Sequence, residues 1–194
     1  MASSPQTSNA RADRQPPLGR QVEYVEVYTP SLLHSMPRSE SRQVAGIIAV
    51  PAPFVGEDLW TAYELSWLDN RGRPRVAALR LTVPAHSPAI VESKSMKLYL
   101  NSFAQTRFAN AADVLKTLNG DLALAFQAPI LVELVSGNQL ANFAESLPGQ
   151  CLDELDIEIV DYVRNPDLLA IEDQSLEIKE TLHTQVFRSI CPVT

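Results

Sequence analysis

The sequence is poor in the residues that most recognisable chemistry needs. Its 7 glycines are scattered over 194 residues, so neither a G-x-G-x-x-G fingerprint nor a P-loop is present. Its 3 histidines, His34, His86 and His183, stand apart from one another and have no metal-ligand spacing with cysteine, which points away from a zinc site. The 2 cysteines, Cys151 and Cys191, are too few for a disulfide framework. Free thiols fit a reducing compartment, and the cytoplasm is expected. No apolar run approaches the roughly 18 residues of a membrane span. The start, MASSPQTSNARADRQPPLGR, lacks the apolar core of a signal peptide. Basic residues are outnumbered, 16 against 23, for a net charge of −7. That balance argues against a broad nucleic-acid footprint, which needs clustered Lys and Arg. No Ser-His-Asp triad can be argued from order alone.

What is present reads as an α+β domain. Residues 1–20 are rich in Ser, Pro, Gln and Arg and lack apolar periodicity, so they are expected to be a disordered tail. Gln21 to Tyr28 could form a short strand, and YTPSLLHSMPRSESR reads as a surface loop or arm. Leu59 to Trp67 alternates, with Leu59, Tyr63, Leu65 and Trp67 expected on the buried face. The turn DNRGRP then leads into Val76 to Val83, whose Ala77, Leu79, Leu81 and Val83 share a face. An antiparallel hairpin follows from that pattern.

Two helices are predicted next. Residues 93–107 carry Met96, Leu100 and Phe103 at helical spacing. Asn110 is placed to cap the second helix, with Asp113 three residues on. Val114, Leu115, Leu118, Leu122 and Phe126 form its apolar stripe, and Pro129 closes the segment. Ile130 to Val135 and Asp156 to Tyr162 read as strands, with Ile157 and Ile159 inward in the latter. Leu176, Ile178 and Leu182 suggest one more extended stretch, interrupted by Glu180. The order β-β-α-α-β-β gives four antiparallel strands with two helices on one face.

Two segments carry candidate chemistry. VESKSMK places Glu92, Ser93, Lys94 and Lys97 at the start of a helix, where free N–H groups and a positive dipole end suit polar or anionic ligands. A carboxylate there can accept from a ring N–H and an exocyclic amine. A solvated first turn, with Glu favourably set on the dipole, accounts for the same residues. RSICPVT holds Cys191, a nucleophile if its pKa is lowered and an inert small apolar group otherwise. Cys151 has no motif and reads as structural.

The stretch VESKSMKLYLNSFAQTRF resembles the signature of the QueF-type 7-cyano-7-deazaguanine reductases, the nitrile reductases of queuosine biosynthesis, a tRNA modification pathway. Glu92, Ser93, Lys94, Ser95, Lys97 and Tyr99 match the pattern Glu-Ser-Lys-Ser-x-Lys-x-Tyr. YTPSLLHSMPRSESR and DLWTAYELSWLDNRGRP resemble the long, two-domain subgroup, and RSICPVT resembles its cysteine segment. The resemblance covers roughly residues 22–194.

It implies a tunnelling fold, built on the same β-β-α-α-β-β order, with two such units in tandem. The first carries the signature and the second the cysteine. It implies reduction of the nitrile of 7-cyano-7-deazaguanine to 7-aminomethyl-7-deazaguanine, through a thioimide on Cys191 and with two NADPH. Val91, Glu92 and Ser93 would contact the deazapurine, and Ser93 and Lys94 would contact NADPH. No metal, nucleic acid or membrane is implied, and the family suggests homodimers.

In the family the cysteine segment continues Gly-Gln-Pro-Asp, whose Asp is the proton donor, and a His-Glu pair follows later. This sequence stops at Thr194, three residues after Cys191. The expected organisation is therefore a first unit over residues 21–163, then a linker and the start of a truncated second unit over 164–194. Such a chain is expected to be inactive by itself. A binding module that holds a purine- or pterin-like ring without chemistry is the alternative, as is the structural half of a split enzyme.

Overall fold

The structure, a computed structural model, describes residues 25–136, 147–163, 165–168, 175 and 178–186. Two compact units divide at Ala141/Asn142.

In the first unit the hairpin forms as its alternation predicts. β2 (Glu57–Leu68) pairs antiparallel with β3 (Pro74–Pro84), and β3 pairs antiparallel with β5 (Leu131–Val135). The sheet order is β2-β3-β5. Ala77, Leu79, Leu81 and Val83 are buried on one face of β3. β2 departs from its predicted face. Leu59 and Tyr63 are exposed, at 68% and 62%, whereas Leu65 and Trp67 are buried. The cause is a register shift between Ala62 and Leu65. A bulge inserts a residue and reverses the parity of inward positions. Trp60 and Ala62 face the core before it, and Leu65 and Trp67 after it.

Both helices cover one face of this sheet. α2 (Ser93–Asn101) is shorter than the predicted 93–107, because residues 102–105 turn away. Met96, Leu100 and Phe103 are nonetheless buried as expected. α3 (Ala111–Phe126) buries Val114, Leu118, Leu122 and Phe126 completely, with Leu115 partly buried beside them. Each such side chain contributes roughly 1.5–3 kcal/mol relative to exposure. Asn110 caps α3 by accepting from the Asp113 N–H at 3.0 Å. The return bond runs from Asn110 Nδ2 to Asp113 Oδ2, at 3.1 Å. Gln127, with φ 56°, ends the helix in the left-handed conformation, and Pro129 follows.

The predicted arm is more ordered than its composition suggests. Of the strand predicted over Gln21 to Tyr28, residues 25–28 form none, while 21–24 and the predicted tail over 1–20 lie outside the described residues. Residues 25–28 dock through Gln105 N–H to Glu26 O, Asn101 Nδ2 to Val25 O and Tyr28 N–H to Thr106 Oγ1. A single 3-10 turn covers Pro30–Leu32. β1 (Ser35–Pro37) then pairs antiparallel with β4 (Ala89–Val91), and α1 (Arg38–Val44) follows. Arg38 holds α1 in place through Ser87 Oγ at 2.9 Å and an ion pair with Asp58. Polar, Pro-punctuated sequence concealed this order because the partners lie far along the chain.

In the second unit β6 (Gln150–Cys151) pairs parallel with β7 (Leu182–His183). Gly149 lies at φ +88°, where a Cβ would meet Thr181 O at 2.0 Å, so the close pairing requires glycine. The strand predicted over Asp156 to Tyr162 does not form, and Ile157 and Ile159 are 64% and 59% exposed. Alternation marks which side a strand could bury, but a ladder also needs a partner edge. This segment has none among the described residues. The predicted four-stranded sheet is thus three-stranded among the described residues. Ile178 lies in irregular chain, and Leu176 falls outside the described residues.

Candidate functional site

The VESKSMK segment lies where β4 turns into α2. Ala89 and Val91 point into the core, which ends the strand with its last inward residue at Val91, 1% exposed. Glu92 follows as the N-cap of α2. Its carboxylate accepts from two backbone N–H groups of the first turn: Lys94 to Oε1 at 2.7 Å and Ser95 to Oε2 at 2.8 Å. Two backbone donors of the first turn are satisfied by one side chain, and its charge offsets the helix dipole.

Glu92 is not solvated, being 4% exposed. Its surroundings come from the arm. Glu92 N–H donates to His34 O at 2.9 Å, and Ser35 pairs with Val91 in the β1–β4 ladder. Ser95, fully buried, links the two chains. Its hydroxyl donates to Glu92 O at 2.7 Å and accepts from His34 N–H at 3.0 Å. Ser93 and Lys97 face solvent, and Lys94 is half-buried. The first turn is therefore two-sided: Glu92 and Ser95 are fastened inward, and Ser93 and Lys97 face outward with Lys94 between.

The predicted residues Val91, Glu92, Ser93 and Lys94 are thus brought together as one turn. Cys191 lies outside the described residues, so its relation to that turn is not part of the geometry.

A second polar cluster sits further along α2. Tyr99 OH and Tyr28 OH both donate to Asp121 Oδ2, each at 2.7 Å. Tyr28, Tyr99 and Phe103 stack edge to face, with centroids 5.3 Å apart for each tyrosine against Phe103. Burial, then the hydrogen bond and negative charge of Asp121, push the Tyr28 phenol up to about 12. The same causes in the same order, with Tyr28 adding to them, raise Tyr99 well above the usual phenol range. Both hydroxyls are therefore fixed donors.

Sequence reasoning missed His34, Tyr28 and Asp121. Each contributes a single group from a distant segment, and no local spacing marks it. The signal lay in the resemblance of YTPSLLHSMPRSESR to the same family, which set that stretch apart from an ordinary loop.

Among the described residues no group of three or more His, Cys, Asp or Glu could hold a metal ion, and no helix is long and apolar enough to cross a membrane.

An α+β unit with a buried Glu capping a Ser-Lys-Ser-x-Lys-x-Tyr helix matches a known class. Residues 24–134 match the family model "Nitrile reductase, 7-cyano-7-deazaguanine-reductase N-term". The chain belongs to this nitrile reductase family. It is 47% identical over 178 residues to the NADPH-dependent 7-cyano-7-deazaguanine reductase of Chromohalobacter salexigens, covering 92% of this chain and 64% of that one. The reductase of the same name from Bordetella pertussis is 49% identical over 180 residues, covering 92% and 65%. That of Dechloromonas aromatica is 47% identical over 180 residues, covering 92% and 63%. The chain thus spans a little under two thirds of the length of these curated relatives.

Proposed function

We propose that the protein to which this chain belongs reduces the nitrile of 7-cyano-7-deazaguanine to a primary amine at the expense of NADPH. The supporting observation is the intact signature turn, with its Glu92 carboxylate oriented by two N–H bonds, in a chain 45–49% identical to reductases of that name. We read the first unit as a tunnelling-fold unit, which its two helices over one face of an antiparallel sheet support.

Val91, Glu92 and Ser93 contact the deazapurine in this reading. Each Glu92 oxygen uses one lone pair on a backbone N–H, which leaves acceptor capacity for a ring N–H and an exocyclic amine. The outward-facing Ser93 and the half-buried Lys94 suit a phosphorylated dinucleotide approaching from solvent. The Cys191 thiolate adds to the nitrile carbon while the nitrogen takes a proton, giving a thioimide. NADPH, as co-substrate, supplies one hydride to the thioimide and a second to the imine left when the C–S bond breaks. The sulfur is restored, and no metal is required by this sequence of steps.

Intact-mass spectrometry after incubation with 7-cyano-7-deazaguanine tests the covalent step. A mass increase equal to the ligand, absent in Cys191→Ala, is expected where ligand and cysteine meet. A folded chain that binds the ligand but forms no adduct would assign the covalent step to the longer protein, and an adduct that persists in Cys191→Ala would remove Cys191 as nucleophile. We expect the 194-residue chain by itself not to consume NADPH, since it spans under two thirds of its relatives. Steady oxidation of NADPH that depends on the nitrile would overturn that expectation.

A further inference from the structure

A basic groove lies at the end of the β2–β3 hairpin, in a part of the first unit that the reductase reading leaves unused. It measures about 500 Å³, and its lining includes Trp67, Asp69, Arg71, Arg73, Arg75 and Asn110. Its two walls are built and joined. One is the turn between β2 and β3. The other is the chain leading into α3, tied to the hairpin through Leu68 N–H to Thr106 O and Phe108 N–H to Leu68 O, each at 2.9 Å. Arg107 closes the corner, donating from Nη1 to Asn70 O at 3.0 Å. Gly72 has φ +76°, and a Cβ there would meet Arg107 Nη2 at 3.1 Å. Glycine at this position both makes the turn and lets the guanidinium lie against it.

The charge at this groove is only partly compensated. Arg71, Arg73, Arg75 and Arg107 are four of the 16 basic residues in a chain of net charge −7. Asp69 is the carboxylate in their midst. It accepts from Arg73 Nε at 2.9 Å and Arg75 Nη2 at 3.1 Å, and from the Arg71 and Arg73 N–H groups. These bonds, the Arg73 N–H first, hold Asp69 down to about 2, so it stays charged and splays two arginines in fixed directions. Asp113, in the first turn of α3, is bonded to Asn110. Asp69 is therefore the carboxylate set among three lining guanidinium groups, and Arg71 has no carboxylate partner among the described residues. Each guanidinium has five donors in a planar fork, of which Asp69 takes one from Arg73 and one from Arg75. The remainder suit the geometry of phosphate oxygens.

We propose that this groove binds a phosphate-bearing small ligand, held by the side chains of Arg71, Arg73 and Arg75. Free phosphate anions and the phosphates of a nucleotide share that chemistry. The site stands apart from the reductase reading, and binding alone tests it.

The test titrates the 194-residue chain with inorganic pyrophosphate at constant ionic strength. Tryptophan fluorescence and the thermal midpoint are followed together, because Trp67 lines the groove. Wild type and Lys116→Gln, a charge change elsewhere on α3, are expected to respond saturably. The Arg71→Gln/Arg75→Gln variant is expected to bind at least about tenfold more weakly. Arg71→Gln alone removes no ion pair among the described residues, so its weaker binding is readable even if the double variant fails to fold. An unresponsive wild type, or arginine variants that respond as Lys116→Gln does, would overturn the proposal. An adenosine bisphosphate titrated in parallel separates the sources. Tighter binding than pyrophosphate assigns the groove to a nucleotide, and weaker binding assigns it to the free anion.

Discussion

Tyr28 and Tyr99 place their hydroxyls on the same oxygen of Asp121, each at 2.7 Å, although 71 residues separate them. One tyrosine belongs to the arm and the other to α2, so the shared carboxylate on α3 ties three segments together. The arm also carries His34 to the Glu92 turn, and the cluster therefore helps to hold that turn in place.

Tyr28→Phe leaves the ring packing and removes one bond to a charged group. A loss of about 1.5–3 kcal/mol in urea unfolding is expected. The linkage sign is set by the raised phenol. Folding favours the protonated hydroxyl, so its contribution is full below the unfolded value of 10 and is lost as pH rises from 10 to about 12. Wild type should destabilise across that interval more steeply than Tyr28→Phe. Equal alkaline slopes in the two proteins would show that Tyr28 is not held by Asp121.

The β2 bulge makes a discriminating pair. Leu65→Ala empties a fully buried position and should cost about 2–5 kcal/mol. Leu59→Ala, on the exposed face, should change stability by less than about 0.5 kcal/mol. Uninterrupted alternation would make both costly, and comparison of the two unfolding midpoints decides between them.

Glu92→Gln leaves an acceptor oxygen for one of the two backbone donors and sets an amide N–H against the other. A destabilisation of about 1–3 kcal/mol is expected from an unsatisfied buried group. Calorimetry should also show weakened binding of 7-cyano-7-deazaguanine if Glu92 reads the ring. Unchanged affinity with reduced stability would leave Glu92 a helix cap only.

Asp69→Asn removes the anchor that directs Arg73 and Arg75. Because folding lowers the Asp69 pKa, its contribution is present above the unfolded value of 3.8 and is lost as pH falls from 3.8 to about 2. The variant should therefore lose its excess acid sensitivity in that interval, followed by circular dichroism. Parallel acid transitions in both proteins would count against this assignment.

Much of the first unit was legible in the residues. Alternation located the hairpin, a short apolar run located β5, the 3.6-residue stripe located α3, and Asn110 announced its start. These features arise within a few residues of one another, where backbone geometry and side-chain period act together. The signature turn was legible for the same reason, since Glu92 and the N–H groups it accepts are neighbours in sequence. The β2 face was misread because a bulge leaves composition unchanged while reversing parity. The Asp156–Tyr162 strand was misread because alternation does not supply a partner edge.

The sequence by itself determined the α+β class, the two helices, the hairpin and the family, because each rests on short-range pattern or on a contiguous motif. Only the tertiary structure decided that the arm forms β1 and α1, that Ser95 joins Glu92 to His34, and that two tyrosines meet on Asp121. It also decided that the hairpin turn gathers its arginines against the start of α3. Each of these is made by single groups from segments far apart, and their free energy comes from burial and hydrogen bonding that exist only once the chain has closed on itself.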